Sequence, residues 1–175
     1  MSHDSQDFVH LRVHSEYSLV DGLVRIKPLV SAVHAAGMPA VALTEQSNLF
    51  SFIKFYRAAE ARGIKPIVGA DLEFVDDSNT EQSSRALFLC HSRTGYRQLS
   101  RIVSRAFTHG QVRGRPFARL EWLEEEAVDG LIVLSGARHG DIGRALLAGN
   151  ESVAKRKLEI WRRLFPDRFY LELQR

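Results

Sequence analysis

Apolar and polar positions along this chain follow two rhythms that replace one another. Short apolar runs at Phe8–Val13, Pro39–Leu43, Ile64–Phe74, Arg85–Cys90, Leu131–Leu134 and Phe169–Leu173 have the length of strands. Between them, apolar residues recur every three or four positions, the spacing of one helix face. Ile26, Leu29, Val30 and Val33 predict a helix over 25–36, stopped by Gly37, with Pro28 harmless in its first turn. Leu49, Phe52, Ile53 and Tyr56 predict a second over 49–62, stopped by Gly63. Further helices are expected over 95–107, 120–127, 140–147 and 152–165. The polar stretch 76–84 reads as a turn, and Gly69 as a point of close backbone approach or a bend. Residues 1–7 read as a disordered lead-in, and 8–175 as one domain.

Strands alternating with helices through short links predict an α/β fold with a largely parallel sheet, as in a barrel or a doubly wound domain. In such folds functional groups gather at the C-terminal ends of the strands. His14 and Asp21 follow the first run, Glu45 and Gln46 the second, and Asp71 lies near the end of the third. The chain stops just after its last predicted strand, so we expect a domain truncated at its C-terminal end.

Composition narrows the field only a little. The charge is +3, mildly basic and weak as a sign of nucleic acid, because binders concentrate charge on one face. The lone Cys90 excludes an internal disulfide, fits a reducing compartment and reads as a buried structural thiol. No apolar run approaches membrane-spanning length and no secretory leader is visible, so a cytoplasmic location without membrane partners is expected.

The stretch FVHLRVHSEYSLVDG, Phe8 to Gly22, carries the candidate chemistry. On a strand His10, Arg12 and His14 project to one side, the spacing by which a strand end presents imidazoles to a metal. Arg12 holds the middle slot, and a guanidinium is permanently charged and cannot ligate. Elsewhere the bland readings prevail. His10 is expected in the core and His34 at a helix edge. His139 and Asp141 are expected to cap a helix start, and His3, His91 and His109 to lie on the surface. Ser135-Gly136 with Gly140 is weak as a phosphate-cradling turn and better explained by packing. Arg113, Arg115 and Arg119 read as a solvated loop, and Lys155 to Arg163 as the charged face of an amphipathic helix.

Three stretches taken together resemble a known family: FVHLRVHSEYSLVDG, GMPAVALTEQSNL (Gly37 to Leu49) and GIKPIVGAD (Gly63 to Asp71). They are similar to the N-terminal polymerase-and-histidinol-phosphatase (PHP) domain of the catalytic α subunits of bacterial replicative DNA polymerase III. TGYRQL, LSGARHGD, Leu147 to Asn150 and FPDRFYLEL look like later landmarks of the same domain. The resemblance implies the N-terminal portion of a distorted β/α barrel of about seven strands, in a parent several times longer. The parent would be a DNA-directed DNA polymerase, a nucleotidyltransferase of DNA replication whose Mg-dependent site lies outside this chain. No catalytic residue of nucleotidyl transfer is expected in this segment.

In active PHP domains a cluster of His and carboxylates holds up to three metals, Zn or Mn. By resemblance the ligand positions map to Arg12, His14, Asp21, Glu45, Gln46 and Asp71. Two imidazoles are thereby replaced. A like charge ~4 Å away at an effective dielectric of ~20 costs on the order of 4 kcal/mol per unit charge. Arg12 is expected to pair instead with Asp21, Asp71 or Glu45 in a metal-free, degenerate site. The resemblance then implies a domain that braces the polymerase and docks the proofreading exonuclease among other replicase subunits, DNA being bound by the rest of the parent. The alternatives are an active metal-dependent phosphoesterase (a 3′–5′ exonuclease or a pyrophosphatase), a stand-alone histidinol-phosphatase-like enzyme, or the error-prone relative of the α subunit.

Overall fold

The computed structural model describes residues 8–19, 21–76 and 79–173. The expected lead-in, the tip of the turn near 77–78 and the last two residues lie outside them.

Helix α1 (Ile26–Ala35) leads into strand β1 (Ala40–Gln46), and helix α2 (Phe52–Glu60) into strand β2 (Lys65–Asp76). Strand β3 (Asn79–Cys90) follows directly, so the polar stretch expected to be a turn is mostly strand. Its pairing with β2 is antiparallel, from Gly69 opposite Leu89 to Asp76 opposite Asn79. A ladder of backbone bonds overrides the low strand propensity of Asn79, Ser83 and Ser84. Helix α3 (Arg93–His109) comes next, then a small hairpin of β4 (Gln111–Val112) and β5 (Arg115–Pro116) where a plain loop was expected. Helix α4 (Leu120–Glu125), strand β6 (Leu131–Leu134), helices α5 (Asp141–Leu147) and α6 (Glu151–Leu164), and strand β7 (Phe169–Tyr170) complete the order.

The main sheet runs β1-β2-β3-β6-β7. β1 and β2 are parallel, β6 and β7 are parallel, and β3 alone is antiparallel to its neighbours. Period-two alternation sorts the side chains. Ala70, Leu72, Phe74, Ala86 and Phe88 face helices α3 to α6, around Trp161 and Phe165. Val41 and Leu43 face α1 and α2. Ala42, Leu87, Leu89 and Leu134, with Ile67 and Ile132, line the opposite, concave face.

The first apolar run is not a regular strand. His10 makes a lone parallel bridge to Val41, and Ala42 N–H donates to the His10 carbonyl at 2.8 Å. At Val13 the Thr44 hydroxyl takes over part of the ladder, accepting from Val13 N–H at 3.1 Å and donating to its carbonyl at 3.2 Å. The segment therefore lies beside β1 where a strand was expected, held by alternating backbone and side-chain bonds. The last run is likewise shorter than expected, its strand ending at Tyr170. His10 is exposed, with the Phe8 ring edge-on to it, correcting its expected place in the core. Gly69 behaves as read: a Cβ there would stand 2.2 Å from the Phe88 carbonyl oxygen.

Candidate functional site

The rim formed by the C-terminal ends of β1, β6 and β7 and the middle of β2 collects the charged groups. Asp71 is its centre, fully buried, in register with Gln46. The Arg12 guanidinium pairs with its Oδ2 through Nη1. The same Arg12 also grips Glu172, Nε to Oε1 at 2.8 Å and Nη2 to Oε2 at 2.7 Å. This is the planar two-point pairing that guanidinium and carboxylate favour. Burial works against the Arg12 charge, but the bond to Glu172 and the nearness of Asp71 outweigh it, and its pKa is raised.

His14 lies between two acids, Nδ1 3.0 Å from Asp21 Oδ2 and Nε2 3.2 Å from Asp71 Oδ2. Burial lowers the imidazole pKa, while Asp71 and then Asp21 raise it, and the acids prevail. Arg85 on β3 completes the ring, its Nη1 3.9 Å from Asp71 and 4.0 Å from Asp21, and its Nε 3.7 Å from Glu73. Arg115 closes the chain of charges on both oxygens of Glu73, at 2.9 and 2.7 Å.

Arg12, His14, Asp21 and Asp71 thus meet as one cluster. Of the three acids expected as partners for Arg12, Asp71 is the one it pairs with. Glu45 does not join the cluster. The reason is the alternation of β1. Adjacent residues of a strand face opposite ways. Glu45 shares the helix-facing side of Val41 and Leu43, on the far side of the sheet from Asp71. There it is 1% exposed. It accepts from Ser15 N–H at 3.0 Å, Ser18 hydroxyl at 2.5 Å and Ser51 hydroxyl at 2.8 Å, and also from the Ser15 hydroxyl. Gln46 is held through its backbone, its N–H donating to Ser18 Oγ at 3.0 Å.

Several participants escaped the sequence reading: Glu172, Arg85, Glu73, Arg115 (read as part of a solvated loop) and the serines around Glu45. The signal for Glu172 was available, since it stands just past the last strand, at the rim where His14 and Asp71 were expected. Arg85 could not be found while 76–84 was read as a turn, because only an antiparallel β3 sets it opposite Glu73.

The donor set, as arranged, does not fit a metal cluster. A guanidinium already saturates one face of Asp71. Both nitrogens of the single nearby imidazole are turned to carboxylates. Every lone-pair direction of Glu45 meets a proton donor. Among the described residues no three His, Cys, Asp or Glu side chains gather as a metal would require. Among the described residues two polar side-chain atoms stay buried without a hydrogen-bond partner, Asp71 Oδ1 and His14 Nε2.

A sheet with helices on one face and a charged rim on the other defines a class that comparison makes explicit. The PHP domain family matches residues 10–175, and the chain belongs to that family. The DNA polymerase III subunit alpha of Pseudomonas aeruginosa is 49% identical over 168 residues, 96% of this chain. Its counterparts in Pseudomonas fluorescens and Escherichia coli K12 are 51% and 44% identical over the same length. The chain spans 14% of the length of these relatives. A solved structure described as a candidate metal-dependent phosphoesterase, from Bifidobacterium adolescentis, matches 89% of this chain and 83% of its own, with TM-score 0.53 and 10% identity. That likeness concerns the fold alone. Among the described residues no helix is long and apolar enough to cross a membrane.

Proposed function

We propose that this chain is the N-terminal PHP segment of a bacterial replicative polymerase III α subunit, and that its PHP site has exchanged metal chemistry for an internal ion network. The parent is then a DNA-directed DNA polymerase of the cytoplasm, acting on DNA through regions beyond this segment. The segment serves as a brace and as a docking surface for the proofreading exonuclease and other replicase subunits. The identity of 44–51% with α subunits supports the parentage.

The observation that carries the loss of chemistry is the Arg12 guanidinium seated between Asp71 and Glu172. Metal-assisted phosphoester hydrolysis needs a cation that can bind water and lower its pKa. A guanidinium supplies charge but no open coordination position. It does supply cohesion: Arg12 ties the first described segment of the chain to the last, across 160 residues of sequence.

Two assays test this reading. The intact protein, incubated with manganese and a phosphodiester substrate, is expected to release no more product than its His14→Ala variant. Hydrolysis lost in that variant would restore the metallo-phosphoesterase reading. For docking, the intact protein is expected to co-elute with the proofreading exonuclease subunit on gel filtration, and independent elution at micromolar concentrations would refute that role.

A further inference from the structure

Beside the rim lies a second charged recess that shares Glu73 and Arg85 with the ion network. It is a cavity of about 430 Å³, lined by Ser83 and Arg85 of β3, Glu73 of β2, Arg138 and His139 of the 137–139 turn, and Arg144 of α5. Its charges are unbalanced. Glu73, the one carboxylate in the lining, is engaged by Arg115 from outside and by Arg85. Arg138 and His139 are exposed and have no acidic partner within 4 Å among the described residues, and Arg144 bonds only the Ser83 carbonyl.

The walls are fixed by tight backbone packing. Gly136, in the left-handed region at φ 74°, passes so close to β3 that a Cβ would stand 2.1 Å from the Arg85 carbonyl oxygen. At Gly140 a Cβ would stand 1.7 Å from the Ser135 carbonyl oxygen. These glycines seat the 137–139 turn on β3, and the Arg144 bond to Ser83 seats α5 on the same strand. Arg138, His139 and Arg144 are thereby gathered over Arg85. The His139 and Gly140 N–H groups both donate to the Gly136 carbonyl, which takes them out of ligand binding. The charge that a ligand would meet comes from the side chains.

With Glu73 and Arg85 balanced inside the ion network, the Arg138 and Arg144 guanidiniums, beside the His139 imidazole, leave the recess a net positive charge and several N–H donors. We propose that this recess binds a phosphoryl group, held by Arg138, Arg144 and His139, with Arg85 as its floor. A phosphoryl group offers three acceptor oxygens and matches the guanidinium fork, and a recess of about 430 Å³ has room for it together with the group that carries it. The group belongs either to a small phosphate or pyrophosphate or to a nucleic-acid backbone.

The test is calorimetric titration of the intact protein with inorganic phosphate, pyrophosphate and a short single-stranded oligonucleotide, at two salt concentrations. Arg138→Ala with Arg144→Ala is expected to weaken phosphate and pyrophosphate binding by about tenfold or more. Arg138→Ala alone, at a residue with no anchoring contact, is expected to weaken it by a smaller factor with an unchanged melting temperature. Arg113→Ala, remote from the recess, leaves binding as it was. If oligonucleotide affinity falls by the same factor and with a flatter salt dependence, the phosphoryl group is that of a nucleic acid; if it is unchanged, the ligand is the small anion. Binding that the double variant leaves intact, or an intact protein that binds none of the three, overturns the proposal.

Discussion

At the residue scale the informative contrast is between Arg12 and Glu45. Both stand where the resemblance puts metal ligands, and each has found a different substitute. Arg12 brings its own positive charge to Asp71. Glu45, sealed on the helix side of β1, is satisfied by hydrogen bonds alone, from one backbone N–H and three serine hydroxyls. An amide at this position can accept from only part of that set and turns its own donors toward others. Glu45→Gln is therefore expected to lower unfolding free energy by about 2 kcal/mol, measured by urea denaturation at constant slope. The identities of the candidate residues could be read from sequence, but the separation of Glu45 from Asp71 needed the strand phase. Once 40–46 is accepted as a strand, residues 45 and 46 must part, so this much was legible in principle.

His14 makes a prediction in pH at the same scale. Its folded pKa is raised, through Asp71 and Asp21 prevailing over burial. A group raised on folding contributes stability that is complete below its unfolded value, about 6.5, and is lost as pH rises through the folded value. Stability is expected to fall over that interval in the intact protein, and the His14→Gln variant is expected to lack that component. Chemical denaturation at a series of pH values checks it, and identical profiles in both proteins would exclude the contribution.

At the scale of elements, regular helices and buried strands were legible because their hydrophobic spacing is strong. Strand β6 falls at the expected residues, and the helices shift by only a few. The failures have a common cause. Tertiary pairing gave structure to polar sequence at 79–84 and withheld it from apolar sequence at 8–13. In the first case β2 offered a free edge. In the second, the backbone departs from regular pairing, and Thr44 fills the gap. Thr44→Val removes both hydroxyl bonds to Val13; the Val13 carbonyl keeps the Thr44 backbone N–H at 2.9 Å, but the part-buried Val13 N–H loses its partner, so a loss of about 1 kcal/mol is expected. Gly69→Ala forces a methyl against the Phe88 carbonyl at the centre of the sheet, with an expected cost of about 1–3 kcal/mol. Both are read from the shift in urea midpoint.

At the scale of the whole molecule, the rim is nearly neutral by its own means. Asp21, Asp71, Glu73 and Glu172 face Arg12, Arg85, Arg115 and, when protonated, His14. In a metal-dependent relative the acids would be balanced by divalent cations. Here the balance is built into the chain and joins its two edges, since Glu172 follows β7 while Arg12 lies beside β1. Such a network ties the first described segment to the last, which is what the proposed bracing role requires. Arg85 was the least legible part of the site, because its place opposite Glu73 depends on an antiparallel β3 where a turn was read; Glu172 could be placed at the rim, but its pairing with Arg12 depends on the last segment returning to the first.

The most direct measurement is metal titration of the intact protein, with zinc and with manganese, beside a variant in which Arg12→His and Gln46→His are combined. The account predicts no stoichiometric binding by the unaltered protein and a clear gain of affinity in the double variant, as two imidazoles return and a fixed cation leaves. Tight zinc or manganese bound by the unaltered protein and lost on His14→Ala would contradict it.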